Sequence, residues 1–351
     1  MQPKTAFTRV LVVEDSPVMR DLLVSIFQGA GGLQVVGTAS NGTEAVRLAR
    51  RLRPDVITMD IYMPEMDGYE ATRQIMSEAP SPIVIISSSL TKDEQEFTFN
   101  ALQAGALSVA KKPTMLDPPE TYQNLISQIK LMSEVKVVRR WHKAVAVPAG
   151  PHAPVVAPSV PAGRRSKINL IAIAASTGGP GALAAILGQF PADFPVPILV
   201  VQHVTPGFGE GLSNWLNGQT ALEVRAARAG DEPGAGQALI APDHHHMEVN
   251  NLGLIALKKA LPHEKLCPSA DYLFHSVAQV YGPTAIGVIL TGMGRDGAEG
   301  LLAMHAAGAT TIAQDAESCV VFGMPAAAIE LKSVDQIKSL RHIASTLTSL
   351  L

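Results

Sequence analysis

From Arg9 to about Lys130, short apolar runs alternate with longer amphipathic stretches, the pattern of a parallel sheet with helices on both faces. The strands predicted are 10–13, 35–39, 56–59, 83–86 and 107–110, enough for one compact doubly wound domain. The alternation stops after Val135. Pro148, Pro151, Pro154, Pro158 and Pro161 follow among Ala, Val and Gly, and Glu134 is the last acid before Asp193. Such a segment cannot hold a helix and reads as an extended, semi-stiff linker. After Lys167 the alternation returns, with strands at 170–175, 198–201, 285–290 and 310–313 and helices at 181–187 and 298–307. The stretch 222–257, rich in Gly and β-type residues, reads as a hairpin-bearing insertion. The expected fold is α/β: two doubly wound parallel-sheet domains over 1–130 and 167–351, the first flavodoxin-like and the second Rossmann-like, joined by a Pro-rich linker at 131–166.

Composition narrows the classes. The chain of 351 residues is 47% hydrophobic and 17% charged, enough apolar matter for real cores and too much for a disordered or low-complexity protein. Its net charge of -3 gives no global field for a polyanion, so nucleic acid is not an expected partner. The charges between Val135 and Lys167, Arg139, Arg140, Arg164, Arg165 and Lys167 among them, are all basic and read as a solvated segment. Cys267 and Cys319 are the only cysteines, no disulfide framework, and read as free thiols packed in a core in a reducing compartment. The apolar stretch ahead of Glu14 and Asp15 is too short for a signal-peptide core, and none approaches a membrane span. A cytoplasmic protein is expected, meeting a membrane only indirectly.

In an open parallel sheet, ligands sit beyond the carboxyl ends of the strands. Here the first strand runs into Glu14 and Asp15, the third into Asp60, the fourth into Ser87, and the fifth into Lys112 and Pro113. Carboxylates crowded in one crevice repel unless a hard cation joins them, and magnesium prefers a few oxygen ligands plus water. Each acid alone would pass as a solvated loop residue; the set at successive strand ends does not. With Met63-Pro64-Glu65-Met66-Asp67-Gly68 following Asp60, residues 9–130 resemble the response-regulator receiver domain. The resemblance implies that Asp60 is the phosphoacceptor and that Mg2+ is held by Glu14, Asp15, Asp60 and the backbone carbonyl of Tyr62. It further implies that Lys112 pairs with the phosphate and that Ser87 is the switch hydroxyl. Ser88 and Ser89 leave the hydroxyl good to about one residue, and Lys111 is a rival to Lys112.

In the second half, Ser176 and Thr177 follow the strand 170–175 and precede Gly178-Gly179-Pro180, a turn whose backbone N–H groups can face an anion. Such a turn serves a phosphate cradle or a nucleophile with an oxyanion site. No Gly-Lys-Ser/Thr ending follows, which favours the nucleophile. A serine nucleophile needs a base and an acid to orient it. His203, two residues past the strand 196–201, is the candidate base, and Asp243, Asp296 and Asp315 all stand at strand ends as candidate acids. His244, His245 and His246 invite a metal reading, but consecutive side chains on a strand point to opposite faces, so a loop with some substrate contact is expected instead.

Ala174-Ala175-Ser176-Thr177-Gly178-Gly179, Gln202-His203, Pro268-Ser269-Ala270-Asp271 and Thr291-Gly292-Met293-Gly294-Arg295-Asp296-Gly297-Ala298 closely resemble the catalytic domain of chemotaxis protein-glutamate methylesterases. So do Ala241-Pro242-Asp243, Gln314-Asp315 and Gly323-Met324-Pro325, so that the match covers 168 to about 345. The resemblance implies Ser176 as nucleophile, His203 as general base and acid, and Asp296 as the residue that orients the imidazole. Thr177 and the backbone N–H of Met293 become oxyanion and substrate candidates. The implied activity is phosphorylation-activated hydrolysis of glutamate γ-methyl esters on chemoreceptors, with methanol released and receptor glutamines also deamidated. The esterase step calls for no cofactor. The implied partners are the cytoplasmic domains of methyl-accepting chemoreceptors, as substrate, and a chemotaxis histidine kinase, as phosphodonor. The unphosphorylated receiver is expected to cover the Ser176 crevice. The competing expectation is a receiver-controlled output module that binds nucleotide or phosphate at the Ser-Thr-Gly-Gly turn.

Overall fold

The computed structural model describes residues 7–88, 92–135, 137, 167–261, 264 and 266–351, the side chains of 92–96 excepted. In the first sheet, β1 (Thr8–Val13), β2 (Leu33–Ala39), β3 (Val56–Asp60), β4 (Ile83–Ser87) and β5 (Ser108–Lys111) lie in the order β2-β1-β3-β4-β5, every pair parallel. The crossover helices are α1 (Pro17–Gly29), α2 (Gly42–Leu52), α3 (Gly68–Glu78) and α4 (Lys92–Ala104), with α5 (Pro119–Ser133) closing the domain. Strand interiors such as Val-Ile-Thr-Met-Asp of β3 are buried throughout, as β-branched runs covered on both faces must be. Helix starts are set by side chains that satisfy free N–H groups: Asn41 Oδ1 accepts from Glu44 N at 2.8 Å and Asp67 Oδ1 from Glu70 N at 2.8 Å. Each such cap contributes about 1 kcal/mol.

The second sheet is built from β6 (Leu170–Ala175), β7 (Ile198–Gln202), β8 (Glu223–Ala226), β9 (Gln237–Ile240), β12 (Ala285–Ile289), β13 (Thr310–Gln314) and β14 (Gln336–Lys338). Its order is β14-β13-β12-β6-β7-β9-β8, again parallel in every pair. The strand order reverses between β6 and β12, where a crevice opens at the carboxyl ends. Between β9 and β12 the chain makes an antiparallel hairpin, β10 (His245–Val249) with β11 (Ile255–Lys259). The helices are α6 (Gly179–Leu187), α7 (Gly209–Asn217), α8 (Ala270–Tyr281), α9 (Ala298–Ala306), α10 (Met324–Glu330) and α11 (Leu340–Leu350).

Two expectations are corrected. The stretch 222–257 is not one insertion: its first half supplies β8 and β9 to the main sheet, and only its second half is the hairpin. β8 and β9 are strands of four residues, too short for periodicity to separate a strand of the main sheet from a hairpin strand. Cys267 and Cys319 are half-buried rather than core residues, and burial pushes the Cys319 thiol up to about 12. The linker expectation, with its prolines and Arg139, Arg140, Arg164 and Arg165, falls outside the described residues apart from positions 131–135 and 137; α5 itself continues through Ser133. No helix among the described residues is long and apolar enough to cross a membrane.

The two domains share a core. A buried apolar cluster runs from Leu11, Ile57 and Ile85 through Phe99 and Leu102 of α4 to Leu183 of α6 and Leu212 and Trp215 of α7. Phe99 stacks on Trp215 with ring centroids 5.7 Å apart, and Trp215 Nε1 donates to Asn100 Oδ1 at 2.9 Å.

Candidate active site and phosphoacceptor pocket

The first sheet brings Glu14, Asp15 and Asp60 together, with ligand oxygens within 4.8 Å of one another. Lys112 Nζ donates to Asp60 Oδ2 at 2.7 Å and to Glu14 Oε1 at 3.2 Å. Burial, then the charge of Asp60, raise the Glu14 carboxyl to about 7 against the pull of Lys112. Burial likewise raises Asp60, opposed first by its Lys112 hydrogen bond. Lys112 is raised because its bonds to these carboxylates outweigh its own burial. Glu14 Oε2 is buried with no well-aligned donor among the described residues, although the ammonium lies 3.1 Å away. One cation for this much negative charge leaves room for another, so this donor set fits a hard divalent ion.

Between the rival positions, the structure puts Lys112 in the pocket; Lys111 ends β5, paired in register with Ser87. Ser87 is buried at the end of β4. The Tyr62 ring meets Phe97 edge-on at 5.6 Å.

In the second sheet, β6, β7 and β12 are lashed at their carboxyl ends. Ser176 N donates to Thr291 O at 3.0 Å, His203 N to Ala175 O at 3.0 Å, and Gln202 Nε2 to both Ser176 O and His203 O at 2.8 Å. Close packing makes two glycines necessary. A Cβ on Gly179 would lie 1.9 Å from Gln202 Oε1, and one on Gly292 would lie 2.7 Å from the Ser176 Cβ. Thr291 ties the turn down, its Oγ1 donating to Thr177 O at 2.9 Å while it accepts from Val320 N and Val321 N.

Of the three candidate acids, Asp296 reaches His203: its Oδ2 lies 2.8 Å from Nε2. Asp243 instead accepts from Gly207 N and Gly209 N at the start of α7, and Asp315 accepts from Ser318. Asp296 sits at the N-terminus of α8, where Ala270 N donates at 2.6 Å and Ser269 Oγ at 2.5 Å. Burial pushes its carboxyl up, but the bond and charge of His203, with Ser269 and Ala270, bring it below its ordinary value. A helix N-terminus favours the same charged form. Because Nε2 is engaged, Nδ1 is the His203 nitrogen free to exchange a proton.

Ser176, Thr177 and His203 line one cavity of ≈ 290 Å³, although no hydrogen bond joins Ser176 to His203 among the described residues. Leu102, Leu107, Ser108, Val109 and Gln128 of the first domain form its other wall, and Thr205 Oγ1 donates to Val109 O at 2.7 Å. Among the described residues, no lysine or arginine lines this cavity. Met293 is not among the residues lining this cavity, although Gly292 directly before it packs against Ser176. It is exposed and lines a separate one with Leu131, Val135 and Phe322. The His244–His246 expectation of a loop is corrected: His245 and His246 belong to β10, and His246 is buried behind Asp296, its Nδ1 accepting from Ser269 N at 3.1 Å. Gln202 and Ser269, already visible inside matched motifs, turn out to hold the turn and the acid; the sequence carried no sign that Glu264 joins them.

Fold and paired pockets define a class: a receiver-type phosphoacceptor domain packed against a doubly wound hydrolase domain. The CheB methylesterase family model matches residues 171–347 and the response regulator receiver domain model residues 10–122. The chain is 46% identical over 97% of its length, and 96% of the other's, to protein-glutamate methylesterase/protein-glutamine glutaminase 4 of Myxococcus xanthus. It is 47% identical, with the same coverage, to the protein-glutamate methylesterase/protein-glutamine glutaminase of Nitrosospira multiformis. The CheB methylesterase catalytic domain of Thermotoga maritima superposes with a TM-score of 0.51 at 36% identity, covering 53% of this chain and 100% of that one. The chain belongs to the CheB methylesterase family and carries a response regulator receiver domain.

Proposed function

We propose that this chain is a phosphorylation-activated protein-glutamate methylesterase. It hydrolyses glutamate γ-methyl esters on the cytoplasmic domains of methyl-accepting chemoreceptors, releasing methanol, and deamidates receptor glutamines. Its place of work is the cytoplasm, and its phosphodonor is a chemotaxis histidine kinase. The working division is receiver 1–130, linker 131–166 and catalytic domain 167–351. The names of relatives aligned over nearly the whole chain support the substrate.

In the catalytic domain Ser176 is the nucleophile. His203, held through Nε2 by Asp296, takes the serine proton at Nδ1 and returns it to the leaving methoxide or amide nitrogen. Water then attacks the acyl-enzyme by the same proton path in reverse. Asp296 stabilises the imidazolium. Thr177 is the nearer candidate for contact with the tetrahedral oxyanion, and Met293 for substrate contact on the outer rim.

In the receiver, Asp60 accepts the phosphoryl group, Lys112 pairs with its oxygens and Ser87 turns to it. Glu14, Asp15, Asp60 and the Tyr62 carbonyl would hold Mg2+, which supplies charge neutralisation for phosphoryl transfer. The wall of receiver residues across from Ser176 carries the regulatory reading. Lys112, bonded to Asp60, directly follows β5, whose Val109 carbonyl is bonded to Thr205 beside His203. New charge at Asp60 re-partners Lys112 and strains this contact.

The test is methanol release from methylated receptor domain, with and without a small phosphodonor and Mg2+. Ser176→Ala is expected to lose on the order of 10³-fold or more in rate. Asp60→Ala is expected to keep the basal rate and lose the phosphodonor response. Full activity in Ser176→Ala would return the turn to a phosphate-binding role.

A further inference from the structure

Behind Asp296 lies a second imidazole–carboxylate pair outside the Ser176 cavity. His246, 1% exposed, points from β10 toward the turn that starts α8. Its Nδ1 accepts from Ser269 N at 3.1 Å, and its Nε2 lies 3.3 Å from Glu264 Oε2. Because Ser269 N can only donate, Nδ1 is the accepting nitrogen, and the hydrogen on Nε2 is directed at Glu264. Glu264 is itself held, by Leu261 N at 2.6 Å and Tyr272 OH at 2.5 Å, and the Tyr272 ring stacks on His246 with centroids 4.0 Å apart.

Ser269 is the hinge between the pairs. Its N–H is taken by His246 and its Oγ donates to Asp296 Oδ1, while the next residue, Ala270, donates its N–H to Oδ2. The carboxylate that contacts His203 is thus aimed by a turn whose own position depends on His246.

We propose that His246, with Glu264 fixing its tautomer, is a positioning residue that sets the Asp296 carboxylate against His203 through the Ser269 turn. It rests on the reading of Asp296 as the orienting acid. It assigns a role to one of three adjacent histidines that the esterase chemistry leaves unused.

The experiment is steady-state methanol release by the full chain with phosphodonor and Mg2+. His246→Leu removes both bonds and is expected to lower kcat about 10²-fold, the scale of a small misplacement of catalytic groups, with KM nearly unchanged. In His246→Asn the amide oxygen takes the place of Nδ1 and still accepts from Ser269, so kcat is expected within about threefold of wild type. Glu264→Ala is expected to lower kcat about fivefold, and to add nothing in the His246→Asn background, which has no Nε2 hydrogen. These last two variants carry the test should His246→Leu fail to fold. Wild-type kcat in both His246→Leu and Glu264→Ala, equal losses in His246→Asn and His246→Leu, or additive losses in the double variant would overturn the proposal. Asp296→Ala in parallel separates the two readings: if it keeps activity, both fall; if it loses activity while the His246 and Glu264 variants keep theirs, only the positioning role falls.

Discussion

Glu264 shows how one side chain can be tied to the active site without touching it. With donors from Leu261 N, Tyr272 OH and His246 arranged around it, its carboxyl is lowered from an ordinary 4.5 to about 2. The Leu261 N–H bond is the largest cause, followed by Tyr272. A group whose folded pKa is depressed contributes stability that is full above its unfolded value and is lost as pH falls through the folded one. The wild-type melting temperature is therefore expected to fall more steeply than that of Glu264→Gln between about pH 4.5 and 2, with parallel curves above that window. Parallel curves throughout, in thermal denaturation followed by circular dichroism, would show that the three donors do not favour the charged form.

At the scale of elements, α4 is the piece on which both domains depend. Its Phe99 is fully buried against Trp215 of α7, and its Asn100 accepts from the Trp215 indole. A part-buried neutral hydrogen bond of this kind contributes about 1 kcal/mol. In the regulatory reading that energy favours the covered site, so Asn100→Ala is expected to raise unphosphorylated activity about threefold to tenfold while leaving the phosphodonor-stimulated rate unchanged. Methanol release with and without phosphodonor measures both, and an unchanged basal rate would remove this bond from the inhibitory contact. The α4 face carries its apolar residues to a partner domain, which is why its amphipathic pattern looks like that of any helix on its own sheet.

For the whole molecule, one apolar cluster runs through both domains, and the Ser176 cavity has a wall from each. In the regulatory reading, covering and catalysis are two states of this one interface. A fragment of residues 167–351 lacks the covering wall and is expected to work without phosphodonor at no less than the stimulated rate of the full chain. A fragment no faster than the unphosphorylated full chain would end the inhibitory reading.

What the amino-acid sequence determined by itself is the central strands of both sheets and the chemistry at their ends. Buried parallel strands are near-continuous apolar runs, and the residue that breaks such a run stands at the functional edge of the sheet. That rule reaches Glu14, Asp15, Asp60, Lys112, Ser176 and His203 directly. It also reaches Asp243, Asp296 and Asp315 alike, because periodicity says where a side chain emerges and nothing of what lies across from it. Periodicity left these three open and the family resemblance pointed to Asp296; the tertiary structure put Asp296 on His203 and turned the imidazole so that Nε2 meets the acid. It alone moved β8 and β9 into the main sheet and brought Val109 over Ser176. The physical reason is the same in each case: these are contacts between residues far apart in the chain, decided by how whole elements pack, and no local pattern encodes them.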